Sequence, residues 1–185
     1  MIDSYDSTPI NKKTTTVTFR VDANTISTLR TVSEEKQISL NTLVNQILDR
    51  YTEWERFGEK VGMISLPKPI VAKLFDKMTK EEVLDLANSV GKSAVKDIAI
   101  FMGNEIDINS FLRWFEIRMK VSSAQLTRTT KDEINTYVVK HDLGMNWSLY
   151  HKTILELIFR DFFGRFINVA ISDTILKFTI NGNVG

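Results

Sequence analysis

Thr16, Thr18 and Arg20 take alternate places in "TTTVTFRVDANTISTLR", residues 14–30, with Val17, Phe19 and Val21 between and beside them. In an extended chain successive side chains point to opposite faces. Two hydroxyls and a guanidinium therefore share one face, and three apolar groups share the other. The polar face could hydrogen-bond base edges, where Arg pairs with guanine and Thr contacts several bases.

Other reactive groups are sparse. His141 and His151 are the only histidines, with Asp142 beside the first and Glu156 further along. A metal site wants three or more such ligands converging, so both read as surface or core histidines with local hydrogen bonds. "HDLGMNWSLY", residues 141–150, carries Trp147 as a core anchor and Asn146 or Ser148 as a helix cap; the same loop could close over a ligand. "GKS" at residues 91–93 lacks the earlier glycine of a phosphate-binding loop. No Ser-His-Asp order or paired-carboxylate pattern stands out. With no cysteine there is no disulfide framework, thiolate metal site or thiol nucleophile. Neither an enzyme nor a cofactor is expected.

The elements that position these groups read as follows. Residues 1–13 form a flexible tail with two bases, Lys12 and Lys13. A strand covers about 15–21. Asp22 or Asn24 caps a helix to about Gln37, with Ile26, Leu29 and Val32 along one side. Ser39 caps a second helix, whose Leu40, Leu43, Val44, Ile47, Leu48, Tyr51 and Trp54 recur every three or four places to Phe57–Gly58. "GMISLPKP" breaks the chain, which makes 59–69 a linker.

Beyond it, residues 70–182 read as an α+β domain. A helix carries Ile70, Val71, Leu74 and Phe75. Thr79 and Glu82 form a capping box for the next, and Gly91 interrupts that one. A segment to Gly103 and a helix over 109–122 follow. The pattern then changes to two hairpins, one turning at Lys131–Glu133 and one at Ser172–Asp173, around a helix over 146–163. The aromatics of this region are expected in the core, and "FRDFFGRF" is open to a second reading as an interface between protomers.

The composition is that of a globular protein, 43% hydrophobic and 25% charged over 185 residues, with a net charge of +1. Bases do not dominate, so any face for nucleic acid must be a local patch. Residues 10–20 hold three bases and no acid. No apolar run reaches a membrane span, and the polar start is no secretory signal, so a cytoplasmic protein away from membranes is expected.

One strand leaves its main-chain N–H and C=O groups unpaired, which is costly when buried. The next strand candidates lie about a hundred residues on. The nearest partner is the same strand of a second copy, and two such strands make a ribbon that fits the major groove.

Strand, helix, helix, with "VTFRV" leading into the first helix and "ISLNTLVNQIL" opening the second, resembles the Arc/MetJ-like ribbon-helix-helix DNA-binding domain. The resemblance covers about residues 14–57. It implies a homodimer or higher oligomer on double-stranded DNA, with Thr16, Thr18 and Arg20 reading bases. It also implies a phosphate anchored at Ser39, Leu40 and Asn41, where helix N–H groups are free. Lys12 and Lys13 would add phosphate contacts. Two places depart from the family: Asp22 stands where many members have Pro, and Lys36–Gln37 where many have Gly. The function expected is transcriptional regulation, with oligomerisation or sensing by the C-terminal domain. An assembly module, or a ligand-sensing role around His141, Asp142 and His151, are the alternatives.

Overall fold

The structure, a computed structural model, describes residues 14–58, 60–103 and 107–182; Lys12 and Lys13 lie outside them. It divides into two compact units, with the boundary between Leu48 and Asp49.

In the N-terminal unit, residues 14–22 carry no regular secondary structure. The strand expected over 15–21 is thus not formed within one chain. Every strand among the described residues lies after residue 124, in the C-terminal unit. No strand among the described residues pairs with this segment, so its main-chain groups gain no ladder to hold them extended. The two helices are present. Helix α1 spans Ala23–Glu35 and is capped by Asp22, whose Oδ1 accepts from the N–H groups of Asn24 (2.9 Å) and Thr25 (3.0 Å).

Its far end closes on a side chain where glycine is usual. Gln37 takes φ 54°. The Gln37 N–H donates to the Glu34 carbonyl and the Ile38 N–H to the Ser33 carbonyl, both at 3.0 Å. This is the Schellman arrangement, in which a left-handed residue satisfies the last carbonyls of the helix. Helix α2, Leu40–Arg50, follows at once and runs on through a π-helical turn, Tyr51–Glu55, into α3, Arg56–Gly58.

The C-terminal unit thus includes the π-helical turn and α3, and continues with α4, Lys68–Asp76. Its successor α5, Lys80–Leu86, starts at the expected capping box. Thr79 Oγ1 accepts from the Glu82 N–H (3.2 Å), and Glu82 Oε2 accepts from the Thr79 N–H (2.7 Å).

Gly91 does not interrupt here. A π-helical turn, Ala87–Gly91, carries α5 directly into α6, Lys92–Gly103. The glycine is needed for contact instead: a Cβ on it would stand 2.5 Å from Ile154 Cδ1 and 2.9 Å from the Tyr150 hydroxyl. Helix α7, Ile108–Val121, is capped by Asp107 through the Ser110 N–H.

Both hairpins form. Strands β1 (Gln125–Lys131) and β2 (Ile134–Lys140) make the first; β3 (Val169–Ile171) and β4 (Ile175–Asn181) make the second. Helix α8, Gly144–Phe163, lies between them in the chain. The hairpins join into one antiparallel sheet of order β1-β2-β4-β3.

One sheet face is apolar. Tyr137 and Val139 of β2, Leu176, Phe178 and Ile180 of β4, and Val169 of β3 are buried in a core with α7 and α8. Tyr137 and Phe178 stack at 4.9 Å, and Phe115 of α7 meets Phe178 edge-on at 5.7 Å. Each such ring removed from water contributes roughly 1.5–3 kcal/mol.

The expectation that the late aromatics are all core needs one correction. Gly164 ends α8 with φ 60°, so the chain leaves the helix and Phe166 emerges 89% exposed.

Candidate nucleic-acid interface

Thr16, Thr18 and Arg20 are exposed, and so are the apolar residues between them: Val17 by 61%, Phe19 by 66% and Val21 by 45%. Arg20 has no hydrogen-bond or ion-pair partner among the described residues. Its guanidinium donors are unused among the described residues. The nearby acid, Asp22, is differently placed. Its carboxylate is turned into the start of α1, where free N–H groups and the helix dipole favour a negative charge. The residue that stands where many ribbon-helix-helix proteins have Pro thus acts here as a helix cap.

At the start of α2, Ser39 is the cap. Its Oγ accepts from the Thr42 N–H at 3.0 Å, and its carbonyl accepts from the Leu43 N–H at 3.0 Å. The N–H groups of Leu40 and Asn41 have no acceptor among the described residues, which leaves an opening suited to an anion. Asn41 is exposed, and its carbonyl accepts from Asn45 Nδ2 at 2.8 Å. No hydrogen bond or ion pair joins this turn to residues 14–21 among the described residues.

The C-terminal unit gathers its histidines around Trp147. The rings of His141 and His151 lie 4.3 and 3.8 Å from the Trp147 ring, and all three side chains are buried. The protons can be placed. The Leu143 N–H donates to His141 Nδ1 (3.2 Å), so the neutral ring carries its hydrogen on Nε2. That hydrogen is given to Ser148 Oγ (2.8 Å), and Ser148 in turn donates to the Ser172 carbonyl (2.7 Å).

His151 Nδ1 faces the Trp147 carbonyl at 3.0 Å, which can only accept, so Nε2 is left as a buried acceptor without a partner among the described residues. Burial, then the charge of Arg118, push its pKa down to about 3. His141 is also pushed down, by burial above all.

Neither Asn146 nor Ser148 caps α8, because the helix begins earlier. Leu143 occupies the cap position without a side-chain bond, and Gly144, at φ 83°, makes the turn. Ser148 sits one turn inside, fully buried. Asn146 Nδ2 closes another helix instead, donating to the Phe75 and Met78 carbonyls at the end of α4 (2.9 and 2.8 Å).

Asp142 and His151 line separate cavities. Asp142 borders an open cleft with Pro69, Gly144 and Asp173, and its carboxylate pairs with Lys68. His151 borders a small internal space beside Trp114, Arg118 and Tyr150. The three groups of the ligand-sensing alternative are not assembled into one pocket.

One feature was passed over in reading the sequence. The alternation in the two hairpins puts Lys131, Lys140 and Lys177 on the outward face of the sheet, together with Thr127, Thr129, Thr136 and Thr179. No protein-family model, curated protein or solved structure matches the chain, so the ribbon-helix-helix likeness rests on residues 14–57 themselves.

Proposed function

We propose that the chain is a sequence-specific DNA-binding regulator of transcription that acts as a homodimer. Residues 15–21 of two copies pair antiparallel, with Val17, Phe19 and Val21 turned inward against the helices. Thr16, Thr18 and Arg20 of both copies then enter one major groove. The N–H groups of Leu40 and Asn41, with Ser39 as cap, hold a backbone phosphate, and Lys12 and Lys13 add charge.

The observation that carries this reading is the exposure of Phe19, 66%, between two exposed valines on a segment that pairs with no strand among the described residues. Ile47, Leu48 and Tyr51 on the second helical run are exposed as well. Apolar surface of this kind marks an interaction site. A second copy would cover the apolar side chains and pair the free main-chain groups at once.

Selection of bound duplexes from a random DNA pool by the full chain, with sedimentation of the protein alone, tests the reading. A defined palindromic site and a dimer are expected. A dimer that enriches no sequence would leave an assembly module, and a monomer at high concentration would end both readings.

A further inference from the structure

The outward face of the C-terminal sheet is polar and one-signed. The strand register sets it out in rows: Lys131, Ile134 and Asn181; then Thr129, Thr136 and Thr179; then Thr127, Val138, Lys177 and Ala170; then Gln125, Lys140 and Ile175. Three lysines and no carboxylate stand in these rows. None of the three lysines has an ion-pair partner among the described residues. By contrast Lys68, Lys73, Lys92 and Lys152 of the same unit are each paired with an acid.

The spacing restricts what such a face can hold. Neighbouring strands lie about 4.8 Å apart and alternate residues about 6.8 Å apart, so Lys140 and Lys177 are about 8 Å apart at the Cα and Lys131 is about 17–21 Å from them. Three charges spread over about 20 Å cannot converge on one small anion. They match an extended polyanion with regularly spaced charges. The aromatic rings of the sheet, Tyr137 and Phe178, are on the buried side. With no ring on the open face, unpaired bases have nothing to stack on, which disfavours single strands. The threonine hydroxyls between the lysines are donors of the kind that contact phosphate and sugar.

We infer that the open face of this sheet, through Lys131, Lys140 and Lys177, binds the phosphate backbone of duplex DNA without reading its sequence. The inference rests on the DNA-binding reading above for the presence of a duplex. It adds a second, sequence-independent contact surface, and with it a task for the C-terminal unit.

The test compares the full chain, its Lys131→Gln/Lys140→Gln/Lys177→Gln variant and its Arg20→Ala variant on a random-sequence duplex and on a selected site, across a salt series. Each backbone contact contributes about 0.9 to the slope of log affinity against log salt. The triple variant should lose about 2–3 from that slope for each protomer in contact and bind at least tenfold more weakly to both duplexes at low salt. Lys177→Gln alone should lose about 0.9 for each protomer in contact.

An unchanged slope in the triple variant overturns the inference and leaves the face to an acidic protein; if Arg20→Ala still loses site preference, the ribbon reading survives. If the lysines carry all the binding and Arg20→Ala changes nothing, the ribbon reading falls and the sheet face stands. A wild-type chain that binds neither duplex overturns both.

Discussion

His141 and Ser148 are joined Nε2 to Oγ at 2.8 Å, and the hydrogen between them is the histidine's. The pair has the composition of a nucleophile with its base but the wrong direction. A base would take the serine proton, whereas this imidazole supplies one, and the serine spends its own on the Ser172 carbonyl. Both side chains are buried, so the chain of bonds ties the turn after β2 and the β3–β4 turn to α8. Ser148→Ala would strand the buried His141 donor and the half-buried Ser172 carbonyl. A loss of about 1–3 kcal/mol in urea unfolding is expected, with DNA affinity at saturating fold unchanged. A variant as stable as the wild type would show that these bonds contribute nothing net.

Acid should weaken the C-terminal unit through His151. Its folded pKa lies near 3, below the ordinary value of 6.5, because burial and the Arg118 charge oppose a second proton. The unfolded chain therefore binds the extra proton first as pH falls. Stability from this group is complete above pH 6.5 and is lost progressively towards pH 3. At pH 4.5 the loss is roughly 3 kcal/mol, or two pH units at about 1.4 kcal/mol each. Denaturation at pH 7 and pH 4.5 measures it, and His151→Leu should flatten the difference.

Gly91→Ala places a methyl group against Ile154, which is itself buried in the core. Overpacking of this sort costs about 1–3 kcal/mol, more than the gain of about 0.5–1 kcal/mol from replacing a helical glycine. Thermal unfolding should move to lower temperature. A rise would mean that α8 moves away freely.

Gln37→Gly should do the opposite. A side chain at φ 54° carries about 1–2 kcal/mol of strain, part of which glycine returns through its looser unfolded state. A net gain of about 0.5–1 kcal/mol is expected in the unfolding of the N-terminal unit.

Arg20→Ala should lower affinity for a selected site by about 1–3 kcal/mol while leaving the dimer intact. Fluorescence anisotropy on site and non-site duplexes reads it, and equal affinity of wild type and variant for the site would remove Arg20 from recognition.

The residues made some of this legible and hid the rest for definite reasons. The Thr79–Glu82 box is a matter of four adjacent residues, and it forms as read. The hairpins showed in their alternation, but their order did not, because β2 and β4 pair across the whole of α8. Gly91 read as an interruption because a glycine that admits a neighbouring helix has the same letter as one that ends its own. Ser148 read as a cap because its partners, His141 and Ser172, are close only once the sheet exists. At residues 15–21 the alternation was plain and the pairing was not, since no strand among the described residues pairs with it. The three lysines were visible as outward positions of each strand, yet only the lateral register places them on one surface.

That lateral register has a kinetic side. Each hairpin is made of residues close in sequence, so each can close early and alone; the seam between them, Ile134 beside Asn181 through Lys140 beside Ile175, cannot. It must wait until α8 has folded back and brought two finished halves edge to edge. The lysines of β1 and β2 then meet that of β4 at the final stage of assembly, so a half-built unit would carry the charges without the surface.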